Sequence, residues 1–167
     1  MRKGSVRSGL IRKGDYIYHG DKIITGHVGS ASFIMIYEDT SIRVYNNSVF
    51  RLVSERYSLL NHSELALFEG KVIIEADDNL GYSFILNTPS TKATVSGTNF
   101  LAEYQEDLLF NGVDYSIFTV LEGIIELENL NSNLSMYLLN GETVVSTDSG
   151  RFLRLDTFRE PQGIVNS

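Results

Sequence analysis

The residues of this sequence that could carry out chemistry are three histidines, a large set of carboxylates and several serine and threonine hydroxyls. The histidines are His19, His27 and His62, and none stands in an HxH or HExxH pattern. Zinc sites and metalloproteases bring their histidines together with such spacings. We interpret the scattered histidines as surface residues, and the sequence predicts no metal site and no cofactor.

A hydroxyl-rich tripeptide, Ser96-Gly97-Thr98, stands between two predicted strands with no obvious base beside it. The hydrolase pattern GxSxG does not occur, nor do the phosphate-binding patterns GxGxxG and GxxxxGK[ST]. The sequence has no cysteine, which excludes disulfides, thiolate metal sites and thiol nucleophiles. We therefore interpret the tripeptide as a tight turn and predict that the protein is not an enzyme.

The carboxylates are numerous but form no recognisable catalytic pair. Between Tyr57 and Gly150 the sequence has fourteen acids and only two bases, Lys71 and Lys92. A glycosidase needs two opposed carboxylates in one groove, and no sequence feature selects such a pair. Asp77-Asp78 is interpreted as a turn, because aspartate readily bonds to its own backbone. Calcium binding in that turn remains an alternative, although the ligand pattern of a calcium loop is missing.

The charge is distributed unevenly along the chain. The net charge is −7 over 167 residues, and residues 57–150 alone carry −12. An acidic centre argues against a nucleic-acid partner, because phosphate recognition needs a basic surface. The first thirteen residues hold five bases, namely Arg2, Lys3, Arg7, Arg12 and Lys13. We interpret residues 1–13 as a solvated basic segment; the alternative is a basic end that faces a membrane or the acidic part of a neighbouring copy.

The sequence predicts no membrane-spanning segment. Only Leu10 and Ile11 follow the basic start of the chain where a signal peptide has its apolar core. No run approaches the roughly 20 apolar residues of a membrane helix. If the protein is exported, we expect its targeting segment to have been removed.

Apolar and polar residues alternate with a period of two through most of the chain, which predicts short β-strands. The predicted strands are Ser32–Tyr37, Ile42–Tyr45, Val49–Val53, Lys71–Ala76, Tyr82–Leu86, Asn99–Tyr104, Tyr115–Val120, Ile124–Leu127, Leu134–Leu139, Thr143–Ser146 and Arg151–Leu155. The best helical candidate, Ser63–Leu67, is too short to form a convincing helix. The prediction is an all-β domain.

One stretch of the sequence occurs twice. Leu67–Glu75 resembles Val120–Glu128, so that Glu69-Gly70 corresponds to Glu122-Gly123 fifty-three residues later. In both copies the glycine supplies backbone freedom for a turn and a β-branched strand follows. Repeated turns between short strands predict a β-solenoid or β-roll of stacked strands. Because the spacing is irregular, a β-sandwich or jelly roll remains the alternative.

Several short motifs follow one another in a characteristic order. The residues that define them are Gly20, Asp21, Thr25, Gly26, Glu69, Gly70, Thr88, Pro89, Gly97, Thr98, Phe100, Glu122, Gly123, Gly141 and Glu142. Their order and spacing resemble the FecR domain, an extracytoplasmic β-rich module of bacteria, over roughly residues 14–146. The chain departs from the family at Asp39-Thr40-Ser41, where Asp-Gly-Ser is usual. On this resemblance we assign residues 14–158 to the β-domain and 159–167 to a C-terminal tail.

The resemblance implies a periplasmic or cell-surface interaction domain whose family-motif residues are structural. FecR-like regulators join a cytoplasmic anti-sigma segment, a membrane helix and this domain, and they relay a signal from an outer-membrane transporter. We expect neither the anti-sigma segment nor the helix in this sequence. The implied partner is a transporter, a regulator or another envelope protein.

Three functions are consistent with the sequence. The first is a non-enzymatic binding module, for signalling or envelope scaffolding, that recognises a protein by strand addition or by a flat face. The second is a self-assembling structural subunit of a cell-surface filament or complex, in which further copies of the chain are the partners. The third is a carbohydrate-binding domain that stacks sugar on the exposed tyrosines Tyr16, Tyr18, Tyr37 and Tyr45, although packing is the commoner task of such rings.

Overall fold

The computed structural model of the chain describes residues 10–35, 39–54, 62–76, 83–106 and 112–155. Every regular element within these ranges is a β-strand, so the all-β prediction is confirmed for them. The thirteen strands are β1 (Lys22–Ile24), β2 (Ala31–Met35), β3 (Thr40–Val44), β4 (Val49–Ser54), β5 (His62–Ala76), β6 (Ser83–Asn87), β7 (Thr91–Ser96), β8 (Asn99–Gln105), β9 (Tyr115–Glu122), β10 (Ile124–Asn129), β11 (Ser135–Leu139), β12 (Thr143–Thr147) and β13 (Phe152–Arg154).

The strands form one sheet in the order β11-β10-β7-β6-β5-β8-β9-β12-β13. Strands β4 and β1 continue from the start of β5, and strands β3 and β2 continue from its end. The pairing is antiparallel except between β5 and β6. Short antiparallel connections of this kind suit the many Asn, Asp and Gly turns in the sequence.

Strand β5 makes the sheet curl. Its residues before Gly70 pair with β4 and β6, and its residues from Gly70 onward pair with β3 and β8. We call β1, β4, β6, β7, β10, β11 and the start of β5 the first half of the sheet, and the remaining strands the second half. The whole sheet is a curled, open half-barrel.

The inward-facing side chains of both halves form one apolar core. In β8 every second residue is buried, as a half-exposed strand requires. The rings of Phe84 and Phe100, one from each half, lie 6.1 Å apart, and those of Phe33 and Phe50 lie 5.8 Å apart. Burial of one such phenylalanine contributes about 1.5–3 kcal/mol, so these rings hold the two halves together.

One weak candidate of the sequence analysis, a helix, is a strand in the structure. Ser63–Leu67, the weak helical candidate, lies inside β5, where pairing with strands on both sides overrides local propensity. In the turn before β3, Asp39 has the left-handed φ of 46°, while Thr40 is the first strand residue. Aspartate tolerates this conformation better than threonine does.

Some sequence predictions fall outside the described residues. These are the Asp77-Asp78 turn, the end of the strand predicted for Ser32–Tyr37, the first residue of the strand predicted for Tyr82–Leu86, residues 1–9 of the basic segment, residues 156–158 of the predicted domain and the tail at 159–167. Tyr37, one of the four candidate sugar-stacking tyrosines, belongs to the same group.

Candidate functional site

The first repeated turn, Glu69-Gly70, lies where β5 passes from the first half of the sheet to the second. Gly70 has a φ of 92°, and a Cβ atom there would lie 2.0 Å from Ser48 Oγ. The main-chain N–H of Lys71 donates a hydrogen bond to the same Oγ at 2.9 Å. The Ser48 hydroxyl therefore fills the space that only glycine leaves open.

The second repeated turn, Glu122-Gly123, has the same construction. Gly123 has a φ of 112°, and a Cβ atom there would lie 2.7 Å from Thr98 Oγ1. The Thr98 hydroxyl lies 2.9 Å from the carbonyl oxygen of Ile124 and 3.0 Å from that of Ser96, the two acceptors available to its single proton. A buried hydroxyl residue and a left-handed glycine thus form a corner in both copies.

The strand register confirms that the two corners are equivalent. Val49 pairs with Glu69 but Phe50 pairs with Leu67, which leaves Phe68 as an extra residue. Likewise, Asn99 pairs with Glu122 but Phe100 pairs with Val120, which leaves Leu121 as an extra residue. Each corner is therefore a β-bulge, a device that bends a strand and increases its twist.

The opening motif supports the first corner. Thr25 Oγ1 donates to Tyr45 O at 2.6 Å and accepts from Ser48 N at 2.9 Å, and Gly26 O accepts from Asn47 N at 3.0 Å. Together these bonds hold the turn that carries Ser48.

The other two residues of the opening motif stand just before β1. Asp21 Oδ2 accepts from Tyr18 N at 2.8 Å, and Gly20 N donates to Leu52 O. Asp21 therefore stabilises the turn that precedes β1, and Gly20 bonds that turn to β4.

The closing motif forms the turn that leads from β11, beside β10, to β12, beside β9. Gly141 has a φ of 81°, and its N–H donates to Val120 O at 2.8 Å. Glu142 Oε1 accepts from Leu139 N at 2.8 Å, while its other carboxylate oxygen pairs with Arg154. Gly97 has a φ of 57°, as the interpretation of that tripeptide as a turn expects.

Thr88 belongs to a buried cluster of hydroxyls that joins the two halves of the sheet. Its Oγ1 lies 2.6 Å from Ser116 Oγ, which is in turn 2.7 Å from Ser90 Oγ. Thr91 Oγ1 donates to Ser146 Oγ at 2.7 Å, and Asn129 Nδ2 donates to the same atom at 2.9 Å. These groups satisfy one another, as buried polar groups must. The neighbouring Pro89 is exposed.

Sequence reasoning missed this cluster apart from Thr88. The available signal was the alternation along two strands. Ser116 and Ser146 stand two residues from the inward-facing Phe118 and Val144, so each serine also faces inward. A serine in the apolar phase of a strand needs a buried partner, but the sequence does not name that partner.

One carboxyl in the described chain has a raised pKa. Asp148 Oδ2 accepts from the Tyr104 hydroxyl at 3.0 Å, and Oδ1 has no hydrogen-bond partner among the described groups. Burial raises the pKa of Asp148; the bond from Tyr104 opposes this, and the charge of Asp114 adds to it.

A shallow groove of about 360 Å³ lies beside the first corner. Tyr45 lines it, but Lys71 Nζ lies 4.9 Å from the centre of that ring and 3.7 Å from Glu103 Oε1. A cation already covers this ring face, whereas Tyr16 and Tyr18 are exposed in the N-terminal loops. Of the three described candidates for sugar stacking, Tyr16 and Tyr18 therefore have exposed side chains, while Tyr45 has a cation over its ring.

Among the residues that the structure describes, no group of three or more potential metal-binding side chains comes together. The described chain also has no helix of the length and apolarity needed to cross a membrane.

One group of exposed apolar side chains on regular elements lies at the β11 end of the sheet. Tyr137 and Leu139 project from β11, and Ile124 is the direct neighbour of Leu139 on β10. Their exposed fractions are 63%, 47% and 54%. Edge strands with apolar faces are typical sites of association.

Comparison with solved structures found two similar crystal structures, at 1.65 and 2.50 Å resolution, of a candidate anti-sigma factor from Parabacteroides distasonis ATCC 8503. Each has a TM-score of 0.65 and 21% sequence identity, and the match covers 80% of this chain. It covers 58% of the solved chain, so this chain spans less than two thirds of that protein. At this identity the likeness establishes a shared fold.

Comparison of sequences gave a more specific result. No curated protein sequence matches the chain. The family model described as "FecR protein" matches residues 21–126, which include both repeated corners and most of the family-motif residues. This chain therefore belongs to the FecR protein family.

Proposed function

We propose that this chain is a non-enzymatic protein-interaction domain of the bacterial envelope, acting in signalling or in envelope scaffolding. The observation that carries the proposal is the open sheet, which ends at β11 in an edge strand whose outer face carries the exposed Tyr137 and Leu139. Such an edge offers both main-chain hydrogen bonds and side-chain contacts to an incoming segment. The partner is a transporter, a regulator or another envelope protein.

Three further observations support the proposal. Membership of the FecR family and a fold like that of a candidate anti-sigma factor are consistent with a regulatory domain outside the cytoplasm. The buried hydroxyls donate to one another and to main-chain carbonyls, which is a structural use of these groups. The family motifs fall at corners and turns, so we propose that they are structural and that the domain, residues 14–158, is a β-roll built from two bulged corners.

Photo-crosslinking in the native cell tests this function. A photoreactive amino acid placed at Tyr137, on the β11 edge, should give a reproducible adduct with one envelope protein. The matched control places it at Glu75, an exposed residue of the second half. Adducts at neither position, together with unchanged transcription after deletion of the gene, would leave the proposal without support.

A second candidate function is self-assembly into a structural complex. The observation in its favour is charge: Arg12 and Lys13 are exposed near the start of the chain, whereas residues 112–150 contain six acids and no base. Contacts between unlike regions of successive copies produce open filaments when they do not close. A chain that sediments as a monomer at high concentration and low salt would rule against this candidate.

A further inference from the structure

The free side of β11 carries main-chain groups that no described strand pairs with. The N–H of Asn129, the last residue of β10, donates to Leu134 O at 2.9 Å. In an antiparallel ladder, alternate residues direct their main-chain groups towards the same neighbour. Met136 and Leu138 therefore bond to β10, while Ser135, Tyr137 and Leu139 direct their N–H and C=O groups away from it.

The turn that follows β11 uses the main-chain groups at one end of this edge. Leu139 N donates to Glu142 Oε1 at 2.8 Å, and Leu139 O accepts from Glu142 N at 3.0 Å. Among the groups facing outward from β11, those of Ser135 and Tyr137 remain for another strand. They offer two donors and two acceptors in the spacing of a β-ladder.

The side chains along this edge determine which strand would fit. On the inner face, Leu138 is buried and Met136 packs against the core, so an added strand would extend the core with apolar residues. On the outer face, Tyr137 lies opposite Glu126, and Ser135 lies opposite Glu128. The outer face therefore presents an aromatic ring and two carboxylates.

We infer that β11 is the docking edge for an extended segment of a partner protein whose residues alternate between apolar side chains and arginine or lysine. The inference rests on the proposed function and specifies the chemistry of its partner. A basic side chain opposite the small Ser135 can extend across it towards Glu128. An arginine beside Tyr137 can stack on the ring and approach Glu126.

A second copy of the chain fits this edge poorly. The five residues of β11 span about 17 Å, whereas a stable interface involves roughly 20–30 residues from each partner. In addition, β11 has no basic residue, so pairing two copies along this strand would bring no positive charge close to Glu126 and Glu128. Charge complementarity favours a basic partner.

Fluorescence anisotropy with three nine-residue peptides tests the alternation and the charge. The first alternates valine with arginine, the second has the same composition in two blocks, and the third alternates valine with glutamate. We expect the first to bind and the other two to bind at least about tenfold more weakly, because only the first offers an apolar face and a basic face at once. Equal binding of all three would overturn the inference.

Two substitutions at one position test the main-chain contacts. Ser135→Pro removes an N–H that β10 does not use, and proline is tolerated at such edge positions. It should weaken binding of the alternating peptide by about tenfold, while Ser135→Ala, which keeps the N–H, should change it by less than about twofold. Unchanged binding to a folded Ser135→Pro variant would refute docking at β11.

Removing the two negative charges beside β11 gives an independent test, which does not require the protein to accommodate a proline. Glu126→Gln combined with Glu128→Gln should weaken binding by about threefold to tenfold and flatten its salt dependence. Glu75→Gln, which removes an exposed carboxylate in the second half of the sheet, should have neither effect. If the Glu75 variant behaves like the pair, the attraction is general and β11 is not the site.

The remaining outcomes separate this inference from the proposed function. A dimer in sedimentation that Ser135→Pro abolishes would make a second copy the occupant and overturn the inference. The photoreactive amino acid can also be placed away from β11 in the Ser135→Pro variant. If that variant still crosslinks to the same envelope protein, the proposed function stands and docking at β11 fails. If the unsubstituted protein crosslinks to nothing and binds no peptide, both fail.

Discussion

Substitution of the corner glycines by alanine tests how the sheet is bent. Gly70, Gly123 and Gly141 all have φ between 81° and 112°, so alanine at any of them meets similar backbone strain, about 1–2 kcal/mol. They differ in the space around the new Cβ atom. At Gly70 it would lie 2.0 Å from Ser48 Oγ and 2.5 Å from Ser48 Cα, whereas at Gly141 no atom lies within 4 Å.

The expected order of destabilisation follows from these distances. Gly141→Ala should cost only the backbone strain, whereas Gly70→Ala should add an overpacking cost of about 1–3 kcal/mol, because a backbone atom of Ser48 must also move. Gly123→Ala should fall between them, since its closest contact is the Thr98 hydroxyl at 2.7 Å. The smaller conformational entropy of an unfolded chain with alanine affects all three equally and cancels in the comparison.

Urea unfolding followed by circular dichroism, with a thermal melt as a second measurement, provides the test. A difference of about 2 kcal/mol between the Gly70 and Gly141 variants corresponds to roughly 4–8 °C in Tm for a chain of this size. The slope of the urea transition should be the same for all variants, which would show that the unfolded states are comparable. If Gly70→Ala is no less stable than Gly141→Ala, the description of this corner as a close-packed glycine site is wrong.

Three further predictions concern polar groups. Asn129→Ala should reduce the free energy of unfolding by about 1–3 kcal/mol, because the buried hydroxyl of Ser146 loses a donor; urea unfolding measures this. Thr25→Val should reduce it by about 1–2 kcal/mol through loss of the bonds to Tyr45 O and Ser48 N, and a melt of no lower Tm would contradict that role. The pKa of Asp148 is raised above its ordinary 3.8, so the folded chain binds this proton more tightly than the unfolded chain, and stability falls as pH rises from 3.8 through the raised pKa. Asp148→Asn should therefore raise Tm at pH 7 relative to the unsubstituted chain and lose that advantage below pH 3.8; an equal difference at both pH values would argue against the raised pKa.

Much of the strand pattern was predictable because it is local. The strand predicted at Asn99–Tyr104 is β8 (Asn99–Gln105), and the one predicted at Tyr115–Val120 is the greater part of β9. Both carry apolar residues at alternate positions, Phe100, Ala102 and Tyr104 in β8 and Phe118 and Val120 in β9. The Glu-Gly repeat was also visible, because it needs only two neighbouring residues and a following strand.

The missed strand β7 shows where local information is insufficient. Its inward residues are Thr91, Ala93 and Val95, which are small or polar and give a weak apolar signal. Thr91 can be buried because the Ser146 hydroxyl, fifty-five residues away in sequence, accepts its hydrogen bond. The first part of β5 was missed for a related reason, since its strand conformation depends on partners on both sides.

The sequence by itself determined that this is an all-β chain, that two Glu-Gly turns repeat, and that its motif order resembles the FecR family. These features depend on alternation and turn chemistry, which act between neighbouring residues. Only the tertiary structure decided that Gly70 meets Ser48, that Gly123 meets Thr98, and that both corners bend one continuous sheet. It likewise decided that β11 lies at an edge with the main-chain groups of Ser135 and Tyr137 directed outward. Pairings between residues far apart in sequence depend on how the whole chain closes around its core, and no local pattern encodes them.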